Sequence, residues 1–248
     1  MPGYNIHKLE RVAVGLDGLL GRVIFIGGSV RELYATDTSA PEFRPSREID
    51  CLLNIETAGE FLAWEQEIEA RGFRKMPHEV PGQATQSWRF EDIRLTFTYP
   101  NFSGHSKFNR WYQDGIFHAT PYRLSSGTMI RIFTPPYVIA TKIEAFLHRG
   151  NQDFRLSEDF EDIVYLLDNR PQIKREVLSA YHEVRNYIRA HFDLFLASGD
   201  LEEGLAYVLP FGSGTSRIRR IIDLMREFVG ESYKPQAASR KLPATSPS

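Results

Sequence analysis

The chain has 248 residues, of which 42% are hydrophobic and 25% are charged, a balance typical of a globular protein that needs no disulfides to form a core. Its 30 Lys and Arg residues nearly balance its 32 Asp and Glu residues. This disfavours a dedicated duplex-DNA binder, because such proteins usually carry a basic excess. The single cysteine, Cys51, cannot form an internal disulfide, and neither a signal-peptide pattern nor a membrane-spanning apolar run is visible. We therefore expect a cytoplasmic protein that does not associate with membranes.

The first half of the sequence alternates between helical and strand-like segments. Residues 5–20 space their apolar side chains along one helix face, and the β-branched run at 22–26, bounded by glycines, predicts a buried strand. The other segments follow in chain order: a turn at 27–29, a helix over 30–35, a loop over 36–47, a strand over 48–55, a helix over 57–72 with Thr57 as its N-cap, and strands over 85–90, 92–99 and 127–133. This order predicts an α/β core in residues 1–134.

After Pro135-Pro136 the pattern becomes helical. The predicted helices cover 136–149, 158–168, 172–197 and 216–229. From Lys234 onward the sequence is too polar to bury a core and predicts disorder. We therefore expect a C-terminal helical domain over 135–232 and a disordered tail over 233–248.

The sequence Phe25-Ile-Gly-Gly-Ser29 runs from a predicted strand into a predicted helix. Backbone N–H groups at the start of a helix bind phosphate well, and glycines let a ligand approach the backbone closely. The Ser29 hydroxyl would add a hydrogen bond. An ordinary strand-to-helix turn has the same pattern, so this motif alone does not establish a phosphate site.

Glu48 and Asp50 are two residues apart on a predicted strand and therefore project from one face of it. Two carboxylates this close repel each other unless a cation lies between them. Mg²⁺ or Mn²⁺ together with a nucleoside triphosphate would satisfy that arrangement, although two solvated acids at a strand end are the simpler alternative. Arg44 and Arg47 add positive charge just before the pair. Because this motif and the glycine turn both lie at strand ends, they are compatible with one shared site.

A third group of polar residues lies in the helical half. Lys142 and Arg149 are seven residues apart on one predicted helix, and Asp159 and Asp162 are three apart on the next. These four residues could form a simple salt bridge between helices. In the functional alternative, Lys142 neutralises a triphosphate and an aspartate orients Lys142 or the acceptor.

In this order the motifs resemble nucleotidyltransferases of the AbiEii-type abortive-infection toxin group. The resemblance covers residues 22 to 168 and is carried by these motifs: Gly27-Gly28-Ser29, Arg44-x-Ser46-x-Glu48-x-Asp50, Lys142 with Arg149, and Asp159-x-x-Asp162. It implies a polymerase-β-like palm, an α+β fold with a mixed sheet, followed by a helical subdomain. It also implies Mg²⁺-dependent transfer of a nucleotidyl group from NTP to a hydroxyl of RNA (tRNA included) or of a protein, and a cognate antitoxin as partner.

The same resemblance implies roles for individual residues. Metal binding would fall to Glu48 and Asp50, which would act in catalysis together with Lys142, Asp159 and Asp162. Nucleotide binding would fall to the residues of the turn, the loop and the later helix: Gly27, Gly28, Ser29, Arg44, Ser46, Lys142 and Arg149.

Two departures from the family pattern affect the expected activity. Glu48 stands where relatives have Asp, and Leu95-Thr96-Phe97 stands where they have a third carboxylate on a later strand. Asp92, four residues before Thr96, is too far along the strand to replace it. Two alternatives therefore stay open: a catalytically weakened NTP-binding module that acts through a partner, and a nucleotidyltransferase that modifies small molecules such as antibiotics.

Overall fold

The structure is a computed structural model that describes residues 4–36, 45–77, 85–99, 109–149 and 152–230. The chain divides into two compact units, one from Met1–Leu33 with Glu42–Thr134 and the other from Tyr34–Pro41 with Pro135–Ser248. The first unit holds the sheet and the second is helical, so the predicted α+β class is confirmed. The predicted disordered tail, 233–248, lies outside the described residues.

The first unit is built on a mixed sheet of seven strands. These are β1 (Val23–Ile26), β2 (Glu48–Leu53), β3 (Arg74–Lys75), β4 (Thr85–Phe90), β5 (Ile93–Thr98), β6 (Thr120–Arg123) and β7 (Met129–Ile132). Their order is β3-β4-β5-β2-β1-β7-β6. The pairs β1–β7 and β2–β5 are parallel, and the other pairs are antiparallel. The pairing places the glycine turn after β1 beside the acidic residues of β2.

Helices α1 (Tyr4–Leu16), α2 (Ala58–Ala70) and α3 (Tyr112–Phe117) complete this unit. Thr57 caps α2 as predicted: its hydroxyl accepts from the Glu60 N–H, and the Glu60 carboxylate accepts from the Thr57 N–H. The buried face of α2 meets the sheet through Trp64, whose ring packs edge-on against Phe97 with centroids 4.5 Å apart. This contact packs α2 against β5, which pairs with β2.

The second unit contains six helices within its described residues: α4 (Pro135–His148), α5 (Glu158–Asn169), α6 (Ile173–Leu178), α7 (His182–Leu196), α8 (Leu201–Val208) and α9 (Gly214–Val229). Its centre is an aromatic cluster in which Phe154 stacks on Phe146 and packs edge-on against Phe160 and Phe195. No described helix of either unit is both long and apolar enough to cross a membrane.

Several predicted boundaries were wrong for local reasons. The single helix expected over 172–197 is broken between α6 and α7. There the Ser179 hydroxyl bonds back to the Arg175 carbonyl, and Tyr181 leaves the helical conformation with φ of −53° and ψ of 139°. Helix α8 was missed because Gly204 weakens the helical pattern. That glycine is required, since a Cβ there would lie 2.3 Å from the Phe154 Cβ. Strand β6 was missed because of Pro121, which an edge strand tolerates.

The helices expected around β1 also differ from the prediction. The segment after α1, Asp17–Arg22, and the segment after the glycine turn, Gly28–Tyr34, are 3₁₀ helices. A seven-residue 3₁₀ segment aligns few peptide dipoles, so the helix-terminus contribution to phosphate binding is smaller than expected.

Candidate functional site

The glycine turn lies directly against the acidic strand. Antiparallel pairing of β1 with β2 places Ile26 opposite Asp50, and Gly27 follows with φ of +74°. A Cβ at Gly27 would lie only 2.5 Å from Asp50 Oδ2, so both the left-handed backbone and the close carboxylate require glycine here. The turn and the carboxylate are therefore one structural unit.

Glu48 and Asp50 project from the same face of β2, as predicted. Ile49 and Cys51 alternate with them and are completely buried on the opposite face, whereas the two acids are half-buried. Burial and the nearby Asp50 raise the pKa of the Cys51 thiol, so this cysteine is protonated and unreactive at neutral pH. The chemistry of this strand lies on the acidic face.

Strand β5 completes the acidic face with two side chains that are not acids. Parallel pairing places Arg94 opposite Glu48 and Thr96 opposite Asp50. The Thr96 hydroxyl donates to Glu48 Oε2 at 3.2 Å, and Arg94 Nε lies 3.2 Å from the same oxygen. Sequence analysis missed Arg94. The sequence shows that Arg94 and Thr96 alternate onto one face of the strand. It does not show which residues of β2 they oppose.

The predicted serine ligands are engaged within the protein. The Ser29 hydroxyl is buried and donates to the Ile26 carbonyl at 3.3 Å, which closes the turn. The Ser46 hydroxyl donates to the Glu48 carbonyl at 2.6 Å, and the Ser46 carbonyl accepts from Lys8 Nζ. A Cβ at Gly28 would lie 3.7 Å from the Ser46 Oγ. These contacts shape the loop around the acids. Arg44 lies outside the described residues.

Among the residues that the structure describes, the donor set fits one divalent ion. Mg²⁺ is commonly held by one or two carboxylates with the remaining ligands from water and phosphate, and Glu48 with Asp50 supplies such a pair. Within the described ranges, however, no group of three or more His, Cys, Asp or Glu side chains could hold a metal. Asp92 is not a third ligand, because it lies before β5 and bonds to Arg11 at 2.5 Å. That hydrogen bond lowers the pKa of Asp92.

The second predicted group is assembled within the helical unit. Lys142 Nζ on α4 lies 2.9 Å from Asp159 Oδ1 and 2.6 Å from Asp162 Oδ2, both on α5. Burial lowers the pKa of Lys142, but the charges of Asp162 and Asp159 outweigh burial, so its pKa is raised. Arg149, just after the end of α4, is 3.8 Å from Asp159 Oδ2 and largely exposed. The arrangement is a largely buried lysine, charged at neutral pH and held between two aspartates.

No protein-family model and no curated protein matches the chain. Several solved structures resemble it, among them an antigenic nucleotidyltransferase-like protein from Paracoccidioides brasiliensis, with a TM-score of 0.49 and 14% identity, covering 82% of this chain and 92% of that one. JHP933 from Helicobacter pylori has a TM-score of 0.47 and 10% identity, with 92% and 93% covered. ANT(2")-Ia in complex with adenylyl-2"-tobramycin has a TM-score of 0.36 and 12% identity, with 91% and 98% covered. Likenesses this distant assign neither an activity nor a substrate to the chain.

Proposed function

We propose that the chain is a nucleotidyltransferase with a polymerase-β-like palm, in which Glu48 and Asp50 hold Mg²⁺ or Mn²⁺ and the glycine turn receives the triphosphate of an NTP. The observation that carries this proposal is the close approach of the Gly27 backbone to the Asp50 carboxylate, where only glycine leaves room. A half-exposed glycine turn beside paired carboxylates brings a phosphate-binding segment next to metal ligands. An ordinary strand-to-helix turn does not require that juxtaposition.

The reaction requires little covalent chemistry from the protein. A divalent ion, when bound, would neutralise the phosphates and polarise the α-phosphoryl group. Gly27 and Gly28 let the triphosphate approach the backbone, and Glu48 and Asp50 would hold the ion beside it. The acceptor hydroxyl oxygen forms a bond to the α-phosphorus as the bond to the α,β-bridging oxygen breaks. Pyrophosphate leaves and the hydroxyl proton passes to solvent, so catalysis is mainly positioning and charge neutralisation.

The roles of Lys142, Arg149, Asp159 and Asp162 in nucleotide binding and catalysis stay predictions. Their geometry supports one part of that hypothesis, since the two aspartates keep Lys142 charged and hold its amine in one position. Motif order alone supports the assignment to the AbiEii-type toxin group, the RNA or protein acceptor and the antitoxin partner. The proposed cytoplasmic location rests on composition.

NTP binding is expected to depend on a divalent ion, because Glu48 and Asp50 would otherwise repel the triphosphate. Calorimetry should give an affinity weaker by about tenfold or more in EDTA than in Mg²⁺. Incubation of each α-phosphate-labelled NTP with Mg²⁺ and total RNA or protein should then transfer label to an acceptor. Equal affinity in EDTA would remove the metal assignment, and absence of transfer with every NTP would remove the activity.

A catalytically weakened NTP-binding module is the second candidate, and the Thr96 hydroxyl on Glu48 favours it, because a third carboxylate is absent at that position. Thr96→Asp should place a carboxylate beside Glu48 and Asp50. We expect this variant to melt at a lower temperature in EDTA, to regain stability with Mn²⁺, and to transfer more label than the wild type.

Thr96→Asn is the matched control, since it changes the shape similarly without adding charge. Metal-dependent stabilisation confined to Thr96→Asp would place position 96 at the metal. If the wild type is active and Thr96→Asp is inactive, Thr96 does not occupy a ligand position and the weakened-module hypothesis loses its support.

A further inference from the structure

Arg94 occupies an unexpected position for a residue beside a metal ligand. It lies opposite Glu48 in the β2–β5 pairing, with its Nε 3.2 Å from Glu48 Oε2. The side chains of Arg94 and Glu48 are 38% and 36% exposed. Ions and ligands can therefore reach part of each side chain, although Arg94 Nε itself is buried.

The ion pair between Arg94 and Glu48 is weak enough for another cation to replace the guanidinium. Arg94 Nε lies 3.2 Å from Glu48 Oε2, and more than a third of each side chain is exposed, so water screens the attraction between the two charges. Partly exposed ion pairs of this type contribute little to stability. A ligand with a higher charge density can therefore displace the guanidinium.

A divalent ion and the Arg94 guanidinium compete for the same carboxylate. Both are cations that bind the oxygens of Glu48, and two cations bound to one carboxylate repel each other. Asp50 adds a second negative charge on the same face, and Thr96 already donates to Glu48 Oε2. Without a metal, Arg94 thus offsets the repulsion between the two acids.

We propose that Arg94 is the internal counter-charge of the metal site: it neutralises Glu48 while the site holds no metal, and a divalent ion binds only by displacing it. This inference rests on the proposed function, because it takes Glu48 and Asp50 as metal ligands. The displaced guanidinium then pairs with the phosphates of the nucleotide. Metal and NTP therefore bind cooperatively, and the metal alone binds weakly.

The test measures Mn²⁺ binding by the electron paramagnetic resonance signal of free Mn²⁺, without nucleotide and with a non-hydrolysable NTP analogue. Without nucleotide, Arg94→Gln should bind Mn²⁺ about fivefold or more tightly than the wild type, because a competing cation is gone. The analogue should strengthen Mn²⁺ binding by the wild type more than by Arg94→Gln. In EDTA the variant should melt at a lower temperature than the wild type, and Mn²⁺ should restore that loss.

Arg89→Gln is the matched control, since Arg89 faces Arg94 across the β4–β5 pairing and is exposed. It removes the same charge from the same sheet without touching a proposed ligand, so its Mn²⁺ affinity should stay within about twofold of the wild type. The Mn²⁺ affinity of Arg94→Lys should lie between those of the wild type and Arg94→Gln, because lysine keeps the positive charge but lacks the planar guanidinium.

The outcomes separate this inference from the proposed function. If Arg94→Gln binds Mn²⁺ no more tightly than Arg89→Gln, while Asp50→Asn weakens binding, the metal site stands and the role of Arg94 is wrong. If Asp50→Asn and Glu48→Gln bind Mn²⁺ as the wild type does, the metal site fails and the inference fails with it. Tight Mn²⁺ binding confined to Arg94→Gln would support both.

Discussion

Asp50→Asn is expected to reduce nucleotidyl transfer by about 100-fold or more while leaving the fold intact. The change keeps the shape of the side chain that packs against Gly27, but it removes one of the two charges that would hold the ion. Repulsion between Asp50 and Glu48 is relieved, so the melting temperature should stay the same or rise slightly. Label transfer, Mn²⁺ binding and thermal melting measure the three effects.

The control for Asp50→Asn is Asp92→Asn, which removes the same charge from an exposed residue before β5. Asp92 is 73% exposed and pairs with Arg11, so its loss should leave transfer within about twofold and the melting temperature nearly unchanged. A large loss of stability in Asp50→Asn would indicate that Asp50 is structural. Unchanged transfer would exclude it as a metal ligand.

Lys142→Met is expected to destabilise the protein by about 3–5 kcal/mol, because it leaves two buried carboxylates without their cation. The side chains of Asp159 and Asp162 are only 8% and 7% exposed. Urea denaturation at pH 7 measures the loss. Lowering the pH should recover part of it in the variant, since protonation removes the uncompensated charges.

The wild-type protein should show the opposite pH dependence at this site. Asp162 and Asp159 raise the pKa of Lys142 above its ordinary value of 10.5. The stability from this cluster is thus fully present below the pKa of an unfolded lysine and is lost as the pH rises through the higher folded value. The decline should begin only above about pH 10.5 and be absent in Lys142→Met.

Lys174→Met is the control for Lys142→Met in the same helical unit. Lys174 and its partner Glu227 are each about half exposed, so this change should cost about 1 kcal/mol or less. If Lys142→Met lowers the free energy of unfolding no more than Lys174→Met does, the cluster does not stabilise the fold, and a role in ligand binding is favoured.

Much of the fold could be predicted where local chemistry decides it. The glycine turn, the capping residue Thr57 and the alternation of β2 each require only near neighbours in sequence, and all three are present. Predictions failed where distant contacts decide. The apolar side chains of the first helix were expected along one face, but Val14 is 67% exposed. Helix α8 was not predicted, and the close contact with Phe154 requires glycine at its position 204.

The sequence by itself determined the α+β class, the glycine turn, the one-face placement of Glu48 and Asp50, and the acidic partners available to Lys142, because strand alternation and helix spacing are local periodicities. Only the tertiary structure decided what faces those residues. The pairing of β2 with β5 across more than 40 residues of chain brings Arg94 and Thr96 onto Glu48, and the packing of α4 on α5 brings Lys142 between two aspartates. Strand register and helix packing are set by the burial of whole faces, and no local pattern in the sequence records which polar side chain is brought opposite another.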